Sequence, residues 1–97
     1  MYLKVHKIPG CESVTAVCDA ELLGKTLSND LCEITIDESF YGNELATDEE
    51  VLNALELSTN SNIIGKKVCR IAIDAGLIEE ESCIIIEGIP HAQIYGV

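Results

Sequence analysis

The chain contains no tryptophan, one phenylalanine and three tyrosines, so Ile, Leu and Val must build its core. Bases are scarce: six Lys and Arg stand against seventeen acids, a formal charge of −11. Direct, general nucleic-acid binding is therefore not expected, because phosphates need Lys and Arg to neutralise them. Docking on anionic lipid is disfavoured for the same reason. None of the five cysteines, Cys11, Cys18, Cys32, Cys69 and Cys83, forms a C-x-x-C pair, and the count is odd. That argues against a secreted disulfide scaffold and against a zinc ribbon. No aliphatic run approaches a membrane span, and the N-terminus carries no apolar signal segment. A cytoplasmic protein with small buried thiols is expected.

What is present suits one folded unit. The 97 residues are 47% apolar, which fits a single domain over 1–97 with one modest core. The acidity favours a basic protein partner, or a basic protein already seated on nucleic acid. The alternative is that the charge serves solubility alone.

Alternation predicts a strand over 2–8, a turn at Pro9-Gly10 and a second strand over 12–18. In the second strand, Val14, Ala16 and Cys18 share one face, and Ser13, Thr15 and Val17 the other. Asp19 is placed to cap a helical turn over 20–23 that Gly24 stops. A third strand is read over 31–37, followed by a loop over 38–43 with Phe40 and Tyr41 adjacent. Thr47-Asp48-Glu49-Glu50 has the capping-box pattern and opens a helix that ends at 58–60. Asn60 or Ser61 then caps a second helix, with Ile64, Val68, Ile71, Ala72 and Ala75 at helical spacing and Gly76 as its stop. Two further strands are read over 83–87 and 92–97, with Gly88 to His91 as the turn between them. The expected fold class is α+β: a mainly antiparallel sheet of about five strands with two main helices on one face.

Familiar catalytic motifs fail. Leu23-Gly24-Lys25-Thr26 suggests a phosphate loop, but the glycine required five residues before the Gly-Lys pair is Asp19. Gly65-Lys66 has Asn60 at that position. No cofactor and no metal ligand set is assigned.

Three groups of candidates remain. His91 stands between Pro90 and Ala92-Gln93 and can act as acid, base or ligand, with Asp37, Glu44 or Glu87 as an orienting carboxylate. Alternatively its ring bonds a backbone carbonyl and pins the last strand. Cys18, Asp19 and Lys25 bring a thiol, a carboxylate and an amine close in sequence, and Cys18 is either the partner of His91 or a core thiol. Tyr41 joins this set from its loop. Lys66, Lys67 and Arg70 are half of the bases and lie away from the apolar helix face. With the free amides of a first helical turn they make a candidate anion site, or they are a solvated face paired with Asp74 and other acids.

The segments Cys18-Asp19-Ala20-Glu21-Leu22-Leu23-Gly24-Lys25, Phe40-Tyr41-Gly42 and Gly88-Ile89-Pro90-His91-Ala92-Gln93 occur in one order, with Asn62-Ile63-Ile64-Gly65 and Ala75-Gly76-Leu77-Ile78 between the last two. Together they resemble the archaeal Domain of Unknown Function 424 family. The resemblance implies a small archaeal cytosolic protein without an assigned activity, and it supplies no catalytic residue. The functional expectation is a non-enzymatic binding module for a basic protein or ribonucleoprotein, in translation or RNA metabolism. The alternative is a small enzyme, or a ligand- or metal-binding protein, with its site around His91 and Gln93.

Overall fold

The computed structural model describes residues 1–7, 9–10 and 13–95. Ile8, Glu12, Gly96 and Val97, assigned to strand ends by the sequence pattern, lie outside the described residues, as does Cys11. The elements run β1 (Tyr2–His6), β2 (Val14–Cys18), β3 (Thr26–Ser28), β4 (Glu33–Thr35), α1 (Glu38–Tyr41), α2 (Asp48–Leu57), β5 (Asn60–Ile64), α3 (Lys66–Asp74), β6 (Ile84–Ile86) and β7 (Ile89–Tyr95). Single 3₁₀ turns cover Ala20–Leu22 and Glu80–Ser82.

Five strands form one sheet in the order β1-β2-β5-β7-β6, and β3 with β4 forms a separate hairpin. Every pair in the large sheet is antiparallel except β2 with β5. A parallel pair needs a long crossover, and the hairpin, α1 and α2 supply it. The α+β class expected from the sequence holds, with a mixed sheet.

The sheet is covered on both faces because its central strands are apolar on both. Val17, Ile63, Ala92 and Ile94 pack under α2 and α3 with Val51, Leu55, Val68, Cys69 and Ala72. Ala16, Cys18, Ile64 and Ile86 pack on the other side with Leu22, Leu27, Ile36 and Tyr41. The two main helices therefore share a face, and the β3–β4 hairpin and α1 hold the opposite one.

Four local expectations are corrected. Asn60 to Ile64 is not the start of a helix but the central strand β5. Gly65 ends it with φ of 129°, a conformation that L side chains rarely adopt, and α3 begins at Lys66. The segment 38–43 is not all loop: Asp37 accepts from the Ser39 amide at 3.1 Å and starts α1. The strand read over 31–37 is shorter, and its partner β3 was not expected. Finally, the last turn lies at Glu87-Gly88, with φ of 51° and 78°, so that Ile86 pairs with Ile89 and His91 with Ile84. Pro90 and His91 are strand residues. The capping box of α2 is as expected: Thr47 Oγ1 accepts from the Glu50 amide at 3.2 Å, and Glu50 Oε1 from the Thr47 amide at 3.0 Å. The bond from the Thr47 amide first, and then the Thr47 hydroxyl, hold the Glu50 carboxyl below its ordinary value.

Candidate functional site

Strand alternation places His91. Its neighbours Ala92 and Ile94 enter the core under the helices, so His91 and Gln93 face the other way. On β5, Ile63 likewise faces the helices, and Asn62 stands opposite Gln93 on the same side as His91. Tyr41 reaches this point from α1. Its hydroxyl donates to Asn62 Oδ1 at 3.3 Å, and His91 Nε2 stands 3.0 Å from the same oxygen. A carboxamide oxygen only accepts, so His91 donates to it from Nε2.

The short helix α1 is fixed by β1. His6 Nε2 donates to the Phe40 carbonyl at 2.6 Å, the His6 and Phe40 rings stack at 5.1 Å, and Lys4 Nζ donates to the Ser39 carbonyl at 3.2 Å. Phe40 meets Tyr41 edge-on at 4.9 Å. Beyond His91 the sheet face is open, with Gln93 and Tyr95 exposed and the Tyr95 hydroxyl donating to Gln93 Oε1.

Burial sets the charge state of this cluster. Half-burial pushes His91 below its ordinary value, which favours neutral imidazole. Burial, with the nearby Cys18 thiol, raises Tyr41 to about 12. Burial raises Cys18 to about 11; a backbone hydrogen bond from Tyr2 opposes this and Asp19 adds to it.

The remaining candidates separate. Cys18 is fully buried beside Tyr41 in the core under the hairpin, and among the described residues it makes no hydrogen bond to His91. Asp19, expected to cap the turn over 20–23, makes no side-chain bond there. It caps α3 instead, accepting from the Lys67 amide at 2.9 Å and the Val68 amide at 3.0 Å. Its carboxylate crosses so close to Gly65 that a Cβ there would sit 2.2 Å from Asp19 Cγ. The anion-binding amides of the α3 first turn are thus already filled from within the chain, which removes them from the expected anion site. Lys25 is exposed and makes no ion pair among the described residues. Pro90 contributes its carbonyl, which accepts from the Gly65 amide at 2.9 Å and the Cys69 thiol at 3.5 Å.

Of the proposed orienting carboxylates, Asp37 caps α1 and Glu87 Oε2 accepts from the Ser28 amide at 2.8 Å. Glu44 meets the Leu3 amide only through its backbone carbonyl, at 3.3 Å. None of the three is hydrogen-bonded to His91. Lys66, Lys67 and Arg70 border a cavity of about 730 Å³ beside α3. Lys67 pairs with Asp48 at 3.7 Å, and Arg70 with Asp74 at 3.8 Å and Glu80 at 3.9 Å, all exposed. Among the described residues no three His, Cys, Asp or Glu side chains are grouped to hold a metal. None of the described helices is long and apolar enough to cross a membrane.

Asn62 and Tyr95 were not singled out from the sequence. Asn62 is legible only once β5 is known to lie between β2 and β7, because that register sets it against Gln93.

The fold defines a small α+β protein in which the hydrogen-bonded cluster of Tyr41, Asn62 and His91 stands at the margin of an open sheet face. Residues 6–97 match the family described as a protein of unknown function (DUF424), and the chain belongs to that family. The fold is similar to the crystal structure of an uncharacterized conserved protein from Methanopyrus kandleri, with a TM-score of 0.78 and 28% identity over 97% of this chain and 89% of that one. No curated protein matches.

Proposed function

We propose that this chain is a non-enzymatic binding module that offers the sheet face around Asn62, His91, Gln93 and Tyr95 to a basic partner. The partner class is a basic protein or ribonucleoprotein of translation or RNA metabolism. The observation that carries this reading is the shared hydrogen bonding of Tyr41 and His91 to Asn62 Oδ1, with none of the proposed carboxylates bonded to His91. Burial also shifts His91 and Tyr41 towards their neutral forms. Activated sites do the reverse, lowering a thiol or pairing an imidazole with a carboxylate. Donors and acceptors held neutral and fixed by one another suit recognition. The net charge of −11 supplies long-range attraction for a cationic partner.

The test is capture from an archaeal lysate on immobilised protein at low and high salt, with a Gln93→Ala/Tyr95→Ala variant alongside. Both side chains are exposed, so the fold is expected to survive. A basic protein held at low salt, released at high salt and lost with the variant is the expected result. Equal capture by both proteins would reject the sheet face as the contact, and no capture at low salt would reject the basic partner.

A further inference from the structure

The cavity beside α3 holds a second chemistry that the sheet-face site does not use. Its walls include Cys69 from α3 and Cys83 from the segment before β6. Cys69 is buried and its thiol donates to the Pro90 carbonyl at 3.5 Å. Cys83 is part-exposed and directs its thiol to the Glu79 carbonyl at 4.0 Å. Cys83 also packs against the core cluster that contains Cys69. Both residues border the one cavity and pack in the one core cluster, and burial first, then the Cys83 thiol, push Cys69 up to about 12. Lys66, Lys67 and Arg70, half of the chain's six bases, line the same cavity, together with the carboxylates of Asp48, Asp74 and Glu80. Lys66 makes no ion pair among the described residues, and the other two are held only by long, exposed pairs that an incoming anion can displace.

We propose that Cys69 and Cys83 form a dithiol exchange site that takes small anionic disulfides and closes to an intramolecular disulfide. Cys83, the more accessible thiol, loses its proton to solvent and attacks one sulfur of the small disulfide. That S–S bond breaks, one small thiolate leaves and takes up a proton, and a mixed disulfide stands on Cys83. Cys69 then loses its proton and attacks the Cys83 sulfur, and the second small thiolate leaves. Two protein thiols are oxidised by two electrons, and one small disulfide is reduced to two thiols. Burial of Cys69 disfavours its thiolate and so slows this second attack. The second step is intramolecular, however, and effective molarities of about 10⁵ M or more for well-placed groups offset that deficit.

Reduced full-length protein is incubated with oxidised glutathione at pH 8, quenched with iodoacetamide and mapped by mass spectrometry. The expected product joins the Cys69 and Cys83 peptides and releases two glutathiones. Cys69→Ser should stop at a lasting glutathione adduct on Cys83, and Cys83→Ser should leave Cys69 unmodified. Lys66→Gln should slow the reaction with oxidised glutathione severalfold and leave that with neutral hydroxyethyl disulfide unchanged. Glutathione found on Cys32 while Cys69 and Cys83 stay free would overturn the proposal. So would a wild-type Cys83 adduct that never closes, and an equal effect of Lys66→Gln on both disulfides would overturn the anionic preference.

Discussion

Asp19 and Gly65 act as one unit. The carboxylate satisfies two first-turn amides of α3, and the missing Cβ at position 65 is what lets it approach. Replacing Asp19 with Ala leaves those amides unpaired in a buried place, and urea denaturation should show a loss of about 2–3 kcal/mol. Gly65→Ala should cost at least as much, from the clash and the positive φ together. The double variant should lose less than the sum of the two, since the clash vanishes when Asp19 is gone. At the cluster, His91 should titrate by NMR below its ordinary value of 6.5. The unfolded chain then takes up the proton first, so the stability that His91 contributes is complete above the unfolded value and is lost as pH falls below it toward the folded value. Asn62→Ala should cost about 1–3 kcal/mol by leaving the His91 and Tyr41 donors unpaired. His91 and Tyr41 were legible as candidates from residue type alone. Their joint partner was not, because Asn62 meets both only through tertiary pairing.

Among the elements, β5 shows where local pattern misleads. Asn60-Ser61 before Ile64 and Val68 has the outline of a capped helix, and the period continues through Ala72. Gly65 breaks it: Ile64 packs under the hairpin, Val68 packs under the helices, and their spacing is a coincidence across an element boundary. The β2 pattern was legible because Val14, Ala16 and Cys18 alternate with Ser13, Thr15 and Val17 in a β-branched run, and Ala16 and Cys18 serve one layer while Val17 serves the other. The turn at Glu87-Gly88 was missed because Pro90 is itself a turn residue in most contexts. The strand identity of β5 carries its own consequence. Ser61 faces the helices, fully buried, and its hydroxyl has no hydrogen-bond partner among the described residues. Ser61→Ala should be neutral or stabilise by up to about 1 kcal/mol in chemical denaturation. A marked loss of stability would show that the hydroxyl is bonded.

For the whole molecule, acidity, the α+β class and the grouping of both long helices on one face were readable from composition and periodicity. The three-layer arrangement was not, because the hairpin and α1 are short elements whose apolar residues, Leu27, Ile36 and Tyr41, carry no period. That arrangement puts Cys18 in the layer under the hairpin and Cys69 in the layer under the helices, both out of reach of solvent. Their folded values of about 11 and about 12 lie above the ordinary 9.0, so each favours the fold below the unfolded value and loses that contribution as pH rises through the folded one. The two sulfurs are thus internal reporters on opposite sides of one sheet. In a dilute-denaturant labelling experiment with iodoacetamide, each meets the bulk reagent only when its own layer opens, because burial shields Cys69 from solvent reagents even though it lies beside Cys83. Val17 and Cys18, like Ile63 and Ile64, are consecutive residues serving opposite layers, so neither layer can detach without exposing a strand that the other needs. Cys18 and Cys69 should therefore be labelled at opening rates with the same denaturant dependence, and separate rates would mean that this small protein comes apart one face at a time.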